Sequence, residues 1–352
     1  MAAGNHLAYK FFNYSDSDQT GIWENLFLYT TDLTDKSSLS LRYGLDAVSS
    51  PSFGVVSTTS GASSKEHDEN NLKFRNSAGI SFSNQYTETL KGSTGLDVSL
   101  KPDYNSITLG QSLDSPILGD FFNLGVGGYY THSRISPAVT TNVNLQPPAG
   151  ELSNRQVNYL LSLEHILTTK SKIKFLFETF QANGYLSTGY HRVTIVSGAG
   201  SPESLENLPD NKSGTALTAI YSQGLSDKSA LHLRVRGYKD SYSINAFSGD
   251  AKYRTYLDEQ MILEFSYRYY KQTSASFWGS SFVTKPTGYF TSQAALGEFN
   301  AQQFGLGVRY EITPFYYLNL NLSGILSANL ERYLRSDGFT YSTFSTGFET
   351  DF

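Results

Sequence analysis

Apolar and polar residues alternate along this chain with a period of two. Leu39-Ser40-Leu41-Arg42-Tyr43-Gly44-Leu45-Asp46-Ala47 alternates along its length, and Leu72, Phe74, Ala78, Ile80 and Phe82 interleave with Lys73, Arg75 and their neighbours. Leu231, Leu233 and Val235 alternate with His232, Arg234 and Arg236; Met261, Leu263, Phe265, Tyr267 and Tyr269 alternate with Glu264, Ser266 and Arg268. Successive strand side chains point to opposite faces, so each stretch carries one apolar and one polar face. Sixteen stretches follow the pattern: residues 6–14, 22–31, 39–48, 71–84, 87–101, 103–113, 123–134, 155–164, 173–190, 213–223, 229–239, 242–254, 260–272, 300–312, 317–334 and 339–352.

The connections alternate as well. After even-numbered stretches they are short, as at 32–38, 165–172, 225–228 and 313–316; after odd-numbered ones four are long, at 49–70, 135–154, 191–212 and 274–299. Short turns at one end and longer loops at the other mark an outer-membrane barrel. All ten prolines fall in expected turns or loops, as a continuous ladder requires. In lipid every backbone N–H and C=O must be paired internally, so strands can span only as a closed barrel. The expected fold class is therefore all-β: one transmembrane antiparallel up-and-down β-barrel over residues 1–352, with about 16 strands. The stretches 6–14 and 242–254 are weak, which widens the strand count to about 14–18. A soluble β-sandwich or solenoid is the competing architecture.

Composition agrees with this. Of 352 residues only 39% are hydrophobic and 17% charged, yet 14% are aromatic, with 25 Tyr and 23 Phe. Such aromatic content argues against disorder. The absence of Cys excludes a disulfide framework and any thiolate metal site or nucleophile. A formal net charge of −5 points to no nucleic-acid partner. No apolar run is long enough for a membrane helix, which needs roughly 20 residues. Met1-Ala2-Ala3-Gly4 leads into polar sequence without a secretory signal.

The chain ends Ser345-Thr346-Gly347-Phe348-Glu349-Thr350-Asp351-Phe352. This resembles the C-terminal signal read by the insertion machinery of bacterial outer-membrane barrels, carried here by Gly347, Phe348 and Phe352, with Thr350 where a hydrophobic residue is usual. The resemblance implies a Gram-negative outer membrane, the insertion machinery as a partner, and a signal peptide absent from this chain. Tyr185-Leu186-Ser187 with Tyr190, Arg192 and Val193, the loop Glu206-Asn207-Leu208-Pro209, the run Leu233 to Ile244, Tyr267-Arg268-Tyr269-Tyr270-Lys271-Gln272 and Ala275, Phe277 and Trp278 together resemble a bacterial family of outer-membrane barrels of unknown function. Asp46-Ala47-Val48-Ser49-Ser50-Pro51 is similar to an upstream segment of that family without its small-residue insertion. Tyr242 stands where the family pattern has Trp, and Lys212 where it has Arg. The resemblance covers mainly residues 185–278 and implies fold and location, not an activity.

The polar faces supply the candidate pore lining: Arg42, Lys73, Arg75, Lys91, Lys101, His232, Arg234, Arg236, Arg268 and Arg309, with Asp46, Asp97, Glu164, Glu178, Glu264, Glu311, Glu331 and Glu349. Such charges set selectivity in pores, or they pair across neighbouring strands and stabilise the wall. The stretch 229–239 stands apart, with His232, Arg234 and Arg236 on one face and no acid before Asp240. A basic stripe of this kind attracts anions.

No catalytic constellation emerges, and the six His residues show no short metal-ligand spacing; no cofactor, metal or enzymatic role is expected. Asp16-Ser17-Asp18-Gln19-Thr20-Gly21 copies half of a calcium loop without its bidentate Glu, so a solvated turn is the better reading. Lys65-Glu66-His67-Asp68-Glu69 reads as a hydrated charge run, and Gly125-Val126-Gly127-Gly128 as a flexible strand. Trp23, Tyr29, Tyr104, Tyr130, Tyr253, Tyr256, Phe315, Tyr316 and Tyr317 lie near strand ends and read as headgroup-level girdles, against four rings expected inside: Tyr129, Phe180, Tyr238 and Tyr270.

Loop 274–299 carries Phe277, Trp278, Phe282, Tyr289 and Phe290, too many rings for open water, so it is expected to fold into the mouth or meet a protein partner. The third outer connection, at Lys101-Pro102-Asp103, is tight, so any constriction must come from another loop. A passive or modestly selective channel for small hydrophilic solutes or ions leads the functional readings. A loop-plugged scaffold anchoring an envelope complex follows, with an outer-membrane hydrolase third. Lipid is the expected partner and a monomer the expected state.

Overall fold

A computed structural model describes residues 4–49, 73–117, 121–136, 148, 152–187, 191–196, 203–317 and 320–352. The chain forms β1 (Asn5–Asp16), β2 (Gly21–Thr34), β3 (Ser37–Ser49), β4 (Lys73–Gln85), β5 (Lys91–Lys101), β6 (Tyr104–Ile117), β7 (Phe122–Ile135), β8 (Leu152–Thr168) and β9 (Ser171–Gly184). A short loop ribbon follows, β10 (Arg192–Thr194) and β11 (Glu203–Leu205). Then come β12 (Asn211–Ser226), β13 (Ser229–Asp240), β14 (Asn245–Tyr256), β15 (Met261–Gln272), β16 (Phe299–Tyr317), β17 (Leu320–Arg335) and β18 (Thr340–Asp351). Every strand except the β10–β11 ribbon belongs to one closed barrel, in which each strand pairs antiparallel with its neighbours in sequence and β1 pairs with β18. This is a sixteen-strand transmembrane barrel of the outer-membrane type, and both weak stretches are full strands in it.

Closure leaves no free edge. The seam runs from His6 opposite Asp351 to Asp16 opposite Tyr341, and Asn5 and Phe352 exchange backbone hydrogen bonds of 3.0 Å in both directions. The alternation sorts onto the two surfaces: Leu41, Tyr43, Ile80, Phe82, Leu306, Phe344 and Phe352 stay exposed on the outside, the area that lipid covers. Thr350, on the same outward side, turns its hydroxyl onto the Ser323 carbonyl at 2.7 Å, which satisfies it without water. Gly347 belongs to the inner face, where a Cβ would come within 2.7 Å of the Ser327 hydroxyl.

Three details depart from the sequence pattern. The stretch 87–101 becomes a strand only from Lys91, because the amide of Tyr86 closes a turn on the Leu90 carbonyl at 2.9 Å. The stretch 173–190 stops at Gly184, whose φ of +106° turns the chain where a Cβ would lie 2.4 Å from the Ser153 carbonyl oxygen. Two prolines lie inside strands. Pro116 closes the end of β6, and Pro314 sits in β16 where the register slips between Ile312 and Phe315. A bulge absorbs the missing N–H there, so the connection expected at 313–316 moves beyond Tyr317.

Hydrophobic clusters are confined to the loop end. Leu208, Tyr242, Ile244, Ala275 and Leu296 form one, with Tyr238, Phe277 and Trp278 against it; Val193, Ile195 and Phe290 form another, with Phe282. These clusters join the loops after β9 and β15 to the β13–β14 turn as a cap over one sector of the mouth.

Candidate functional site

The inner face is fixed by register. On β9 it carries Lys172, Lys174, Leu176, Glu178 and Phe180; on β13, His232, Arg234, Arg236 and Tyr238; on β14, Ser248, Asp250, Lys252 and Arg254; on β15, Glu264, Ser266, Arg268 and Tyr270. Across β9, β12, β13, β14 and β15, one register row reads Lys174, Ile220, Arg234, Asp250, Arg268. The row towards the turn end reads Lys172, Ser222, His232, Lys252, Ser266, and the row towards the loop end Leu176, Thr218, Arg236, Ser248, Tyr270. A fourth, at the turn end, holds Gly224, Ala230, Arg254 and Glu264, with Lys170 bonded to the Gly224 amide through its carbonyl at 2.7 Å. Rows lie two residues apart, about 7 Å, so the four cover roughly 20 Å of lumen height.

Eight cations stand in these rows: Lys170, Lys172, Lys174, Arg234, Arg236, Lys252, Arg254 and Arg268. Asp250 and Glu264 lie within them and Glu164 and Glu178 at their border, so eight positive charges face four negative ones, a net of +4. The acids come from neighbouring strands. Asp250 accepts from Arg268 and lies 3.8 Å from Arg234; Glu178 meets Arg236 at 3.0 Å across β12. Glu264 holds Lys252 at 2.7 Å and also Arg254, and Glu164 holds Lys172 at 3.3 Å. The stripe on β13 is thus partly compensated, contrary to what its own strand suggests, because acids two strands away in space are invisible along it. Lys174 forms no ion pair among the described residues.

The opposite part of the wall is closer to neutral. Arg75 pairs with Asp46, which is buried, and Arg42 reaches Asp97 across β4. That reach needs Gly79, where a Cβ would fall 2.1 Å from Asp97 Oδ1. Gly125 likewise leaves room for Asp114 and Ser162 within an unbroken β7. Arg309 meets Glu349 at 3.6 Å, Lys101 meets Asp103 at 3.3 Å, and Glu331 accepts from Gln303 at 2.8 Å. Lys91 and Glu311 share the inner face by register without an ion pair, and Lys73 holds an inward register position. Each of these pairs joins the same or nearby strands, and none crosses the lumen. Arg254, Arg268 and Lys252 keep side-chain exposures of 47%, 41% and 41%, so their charged ends stand in water.

Sequence reasoning missed Lys172, Lys174, Asp250, Lys252 and Arg254. The signal was present on β14, where Ser248, Asp250, Lys252 and Arg254 alternate with Phe247, Gly249, Ala251 and Tyr253; small outward residues hid it. The inner rings were undercounted too. Phe12, Tyr14, Phe299, Tyr333 and Tyr341 join Tyr129, Phe180, Tyr238 and Tyr270 inside. Tyr104, assigned above to the girdle, faces inward and shares a 2.7 Å hydrogen bond with Ser133 Oγ; Tyr256 shares the inward register. Tyr333 stacks on Tyr341 at 4.5 Å with planes 10° apart, so these rings stand against one another along the wall. The side chains of Phe315, Tyr316 and Tyr317, and the run Lys65 to Glu69, lie outside the described part.

Asp16 has a structural task. Its carboxylate accepts from the Asp18 and Thr20 amides at 2.9 Å and from the Tyr14 hydroxyl at 2.9 Å, closing the β1–β2 turn. Asp240 repeats this in the β13–β14 turn, accepting from the Tyr242 and Ile244 amides at 3.0 Å and the Tyr238 hydroxyl at 2.8 Å. Gln19 and Ser243 occupy the matching left-handed positions, φ 65° and 71°.

The rings of loop 274–299 pack within the cap, which is tied down by polar contacts. Gln272 donates to the Ala295 and Gly297 carbonyls at 2.8 and 2.7 Å. Buried Glu206 accepts from Thr291 Oγ1 and Gln293 Nε2, each at 2.8 Å. His191 lies 3.0 Å from Ser292 Oγ, and burial pushes its pKa down to about 4.

A family model described as a protein of unknown function, DUF3570, matches residues 1–337. No curated protein matches the chain in sequence. Among solved structures it is similar to Pseudomonas aeruginosa OpdK with vanillate, at 9% identity and TM-score 0.46, covering 100% of this chain and 99% of that one. It is also similar to a loop-deletion mutant of OmpT, an outer membrane protein of Vibrio cholerae, at 8% identity and TM-score 0.45, covering 99% and 98%. The siderophore receptor PirA from Acinetobacter baumannii aligns at 10% identity and TM-score 0.46, over 94% of this chain and 53% of its own.

Proposed function

This chain belongs to the DUF3570 family of proteins of unknown function, and from that premise we propose that it is a passive, modestly selective outer-membrane channel for small hydrophilic solutes or ions, with a preference for anions. The observation that carries this reading is the cationic wall: four register rows with a net of +4, their charged ends in water and paired only with near neighbours. Charged side chains lining a pore set which ions enter it, and low-dielectric walls focus their field. The role is transport rather than catalysis. Lipid surrounds the barrel, the insertion machinery reads the C-terminal strand, and the barrel works as a monomer.

The cap favours a second reading, a scaffold closed by its loops that anchors an envelope complex through the exposed Val283 and Tyr289 of loop 274–299. Single-channel recording of the refolded chain in a planar bilayer, with the reversal potential under a potassium chloride gradient, separates the two. Stable steps with anion preference support the channel. Silence from protein shown to be folded and inserted removes it and leaves the scaffold.

A further inference from the structure

The turn end of the barrel carries one hairpin three times. Leu33-Thr34-Asp35-Lys36-Ser37, Leu167-Thr168-Thr169-Lys170-Ser171 and Leu225-Ser226-Asp227-Lys228-Ser229 share the pattern Leu, hydroxyl, Asp or Thr, Lys, Ser. The geometry repeats with the sequence. The two flanking hydroxyls bond each other at 2.7, 2.7 and 2.8 Å, and the lysine amide donates to the first hydroxyl at 3.2 Å in all three. Each hairpin carries a register slip just before its turn, between Asp32 and Thr34, Ile166 and Thr168, and Gly224 and Ser226. Bulges bend a strand and re-aim the side chains beside them.

Two of these hairpins, β8–β9 and β12–β13, stand side by side, and between them lies a recess of about 460 Å³ at the foot of the cationic wall. Its lining includes Lys170, Lys172, His232, Ser171, Ser222 and Gln223, and no Asp or Glu. The acids nearest its two ammonium groups bind them loosely. Glu164 is 3.3 Å from Lys172, and Asp227, 97% exposed, is 3.5 Å from Lys170. An exposed pair of that kind is screened by water and salt and yields readily to a better anion. Ser222 Oγ and His232 Nδ1 lie 2.9 Å apart, which holds the ring in place in the row that also contains Lys172 and Lys252.

We propose that this recess is a binding site for a small multivalent oxyanion of the phosphate type, held by Lys170, Lys172 and His232 with hydroxyl donors around it. The proposal deepens the anion preference put forward above and names the solute class it serves. A tetrahedral oxyanion offers several strong acceptors, and charge-assisted hydrogen bonds from ammonium groups are the stronger kind. Chloride, with one charge and no fixed acceptor geometry, gains less from the same donors. The third hairpin is an internal control: it has the same turn and the same lysine, but Ser38 occupies the place of Lys172.

The test is isothermal titration calorimetry of the folded barrel in detergent with inorganic phosphate, chloride held constant. Saturable binding is expected, weakened on the order of tenfold in Lys172→Gln/His232→Gln and unchanged in Lys36→Gln. Heat-modifiable gel mobility checks that each variant is folded. If the double variant does not fold, Lys170→Gln serves instead, since its side chain leaves the turn and supports no strand. No saturable phosphate binding by the wild type, or equal loss in Lys36→Gln, overturns the proposal. Binding needs no open pore, so a barrel that binds phosphate but carries no current sinks the channel and keeps this site. A barrel that conducts anions without saturable phosphate binding does the reverse.

Discussion

Replacing Arg234 and Arg236 together by Gln tests whether the cationic wall sets selectivity. The pair contributes two of the eight positive charges in the rows, and its loss leaves Glu178 without the guanidinium now 3.0 Å away, while Arg268 still holds Asp250. An anion passing about 6 Å from one unit charge in a water-like medium gains roughly 0.7 kcal/mol, and a Debye length of about 8 Å at 0.15 M salt halves that. Two charges together are then worth about 0.7 kcal/mol, or roughly threefold in anion permeability. The sign reverses for a cation, so the anion-to-cation ratio falls about tenfold. Reversal potentials in a planar bilayer under a fixed potassium chloride gradient measure this ratio directly. At 1 M salt, where the Debye length is about 3 Å, the difference between wild type and variant shrinks. An unchanged reversal potential at low salt in a conducting, folded variant would refute the assignment of selectivity to this wall.

Three further outcomes follow from particular contacts. Gly79→Val places atoms where Asp97 lies, 2.1 Å from the position of a Cβ, and is expected to destabilise the barrel by about 1–3 kcal/mol as overpacking does; urea unfolding of the refolded variant reads it, and wild-type stability would show that Arg42–Asp97 need not cross β4. Asp240→Ala removes the acceptor for two turn amides and the Tyr238 hydroxyl, and the 3.2 Å pair with Lys212, all at a buried carboxylate. Faster amide exchange at Tyr242 and Ile244 is expected, with a loss of roughly 2–4 kcal/mol in local stability; unaltered exchange there contradicts the turn assignment. His191 is held neutral by burial, with its pKa near 4 against an ordinary 6.5, so the opened cap binds a proton that the closed cap does not. Cap stability is therefore complete above pH 6.5 and declines as pH falls towards about 4, by up to about 3 kcal/mol. Limited proteolysis of loops 185–210 and 273–298 is expected to speed up from pH 7 to pH 4.5 in wild type and much less in His191→Phe; pH-independent cleavage of the wild type defeats this account.

The strand pattern was legible because membrane spanning imposes a local rule. Each strand must present lipid-compatible side chains at every second position, so the alternation at Leu39 to Ala47 or Met261 to Tyr269 is written into contiguous residues. The same rule placed Arg42, Asp46, Arg75, Asp97, Arg234, Arg236, Glu264 and Arg268 on the inner face, and put Phe344, Phe348 and Phe352 outside. It failed where small residues occupied the outer face of β14, and where rings such as Tyr104 and Tyr333 occupy inner positions beside polar partners. Pro314 misled it because a bulge can carry a proline inside a strand.

Periodicity, turn spacing and the alternating lengths of the connections thus determined the architecture from the sequence by itself: a closed barrel, its strand number, its two faces and its two ends. They could do so because those features depend on residues close together in the chain. Tertiary structure alone decided which charges meet. Arg236 finds Glu178 across β12, Arg42 finds Asp97 across Gly79, and Lys172 comes beside His232 although 60 positions separate them. Electrostatic selectivity depends on distances in space between groups far apart in sequence, and those distances exist only once the register around the whole barrel is closed.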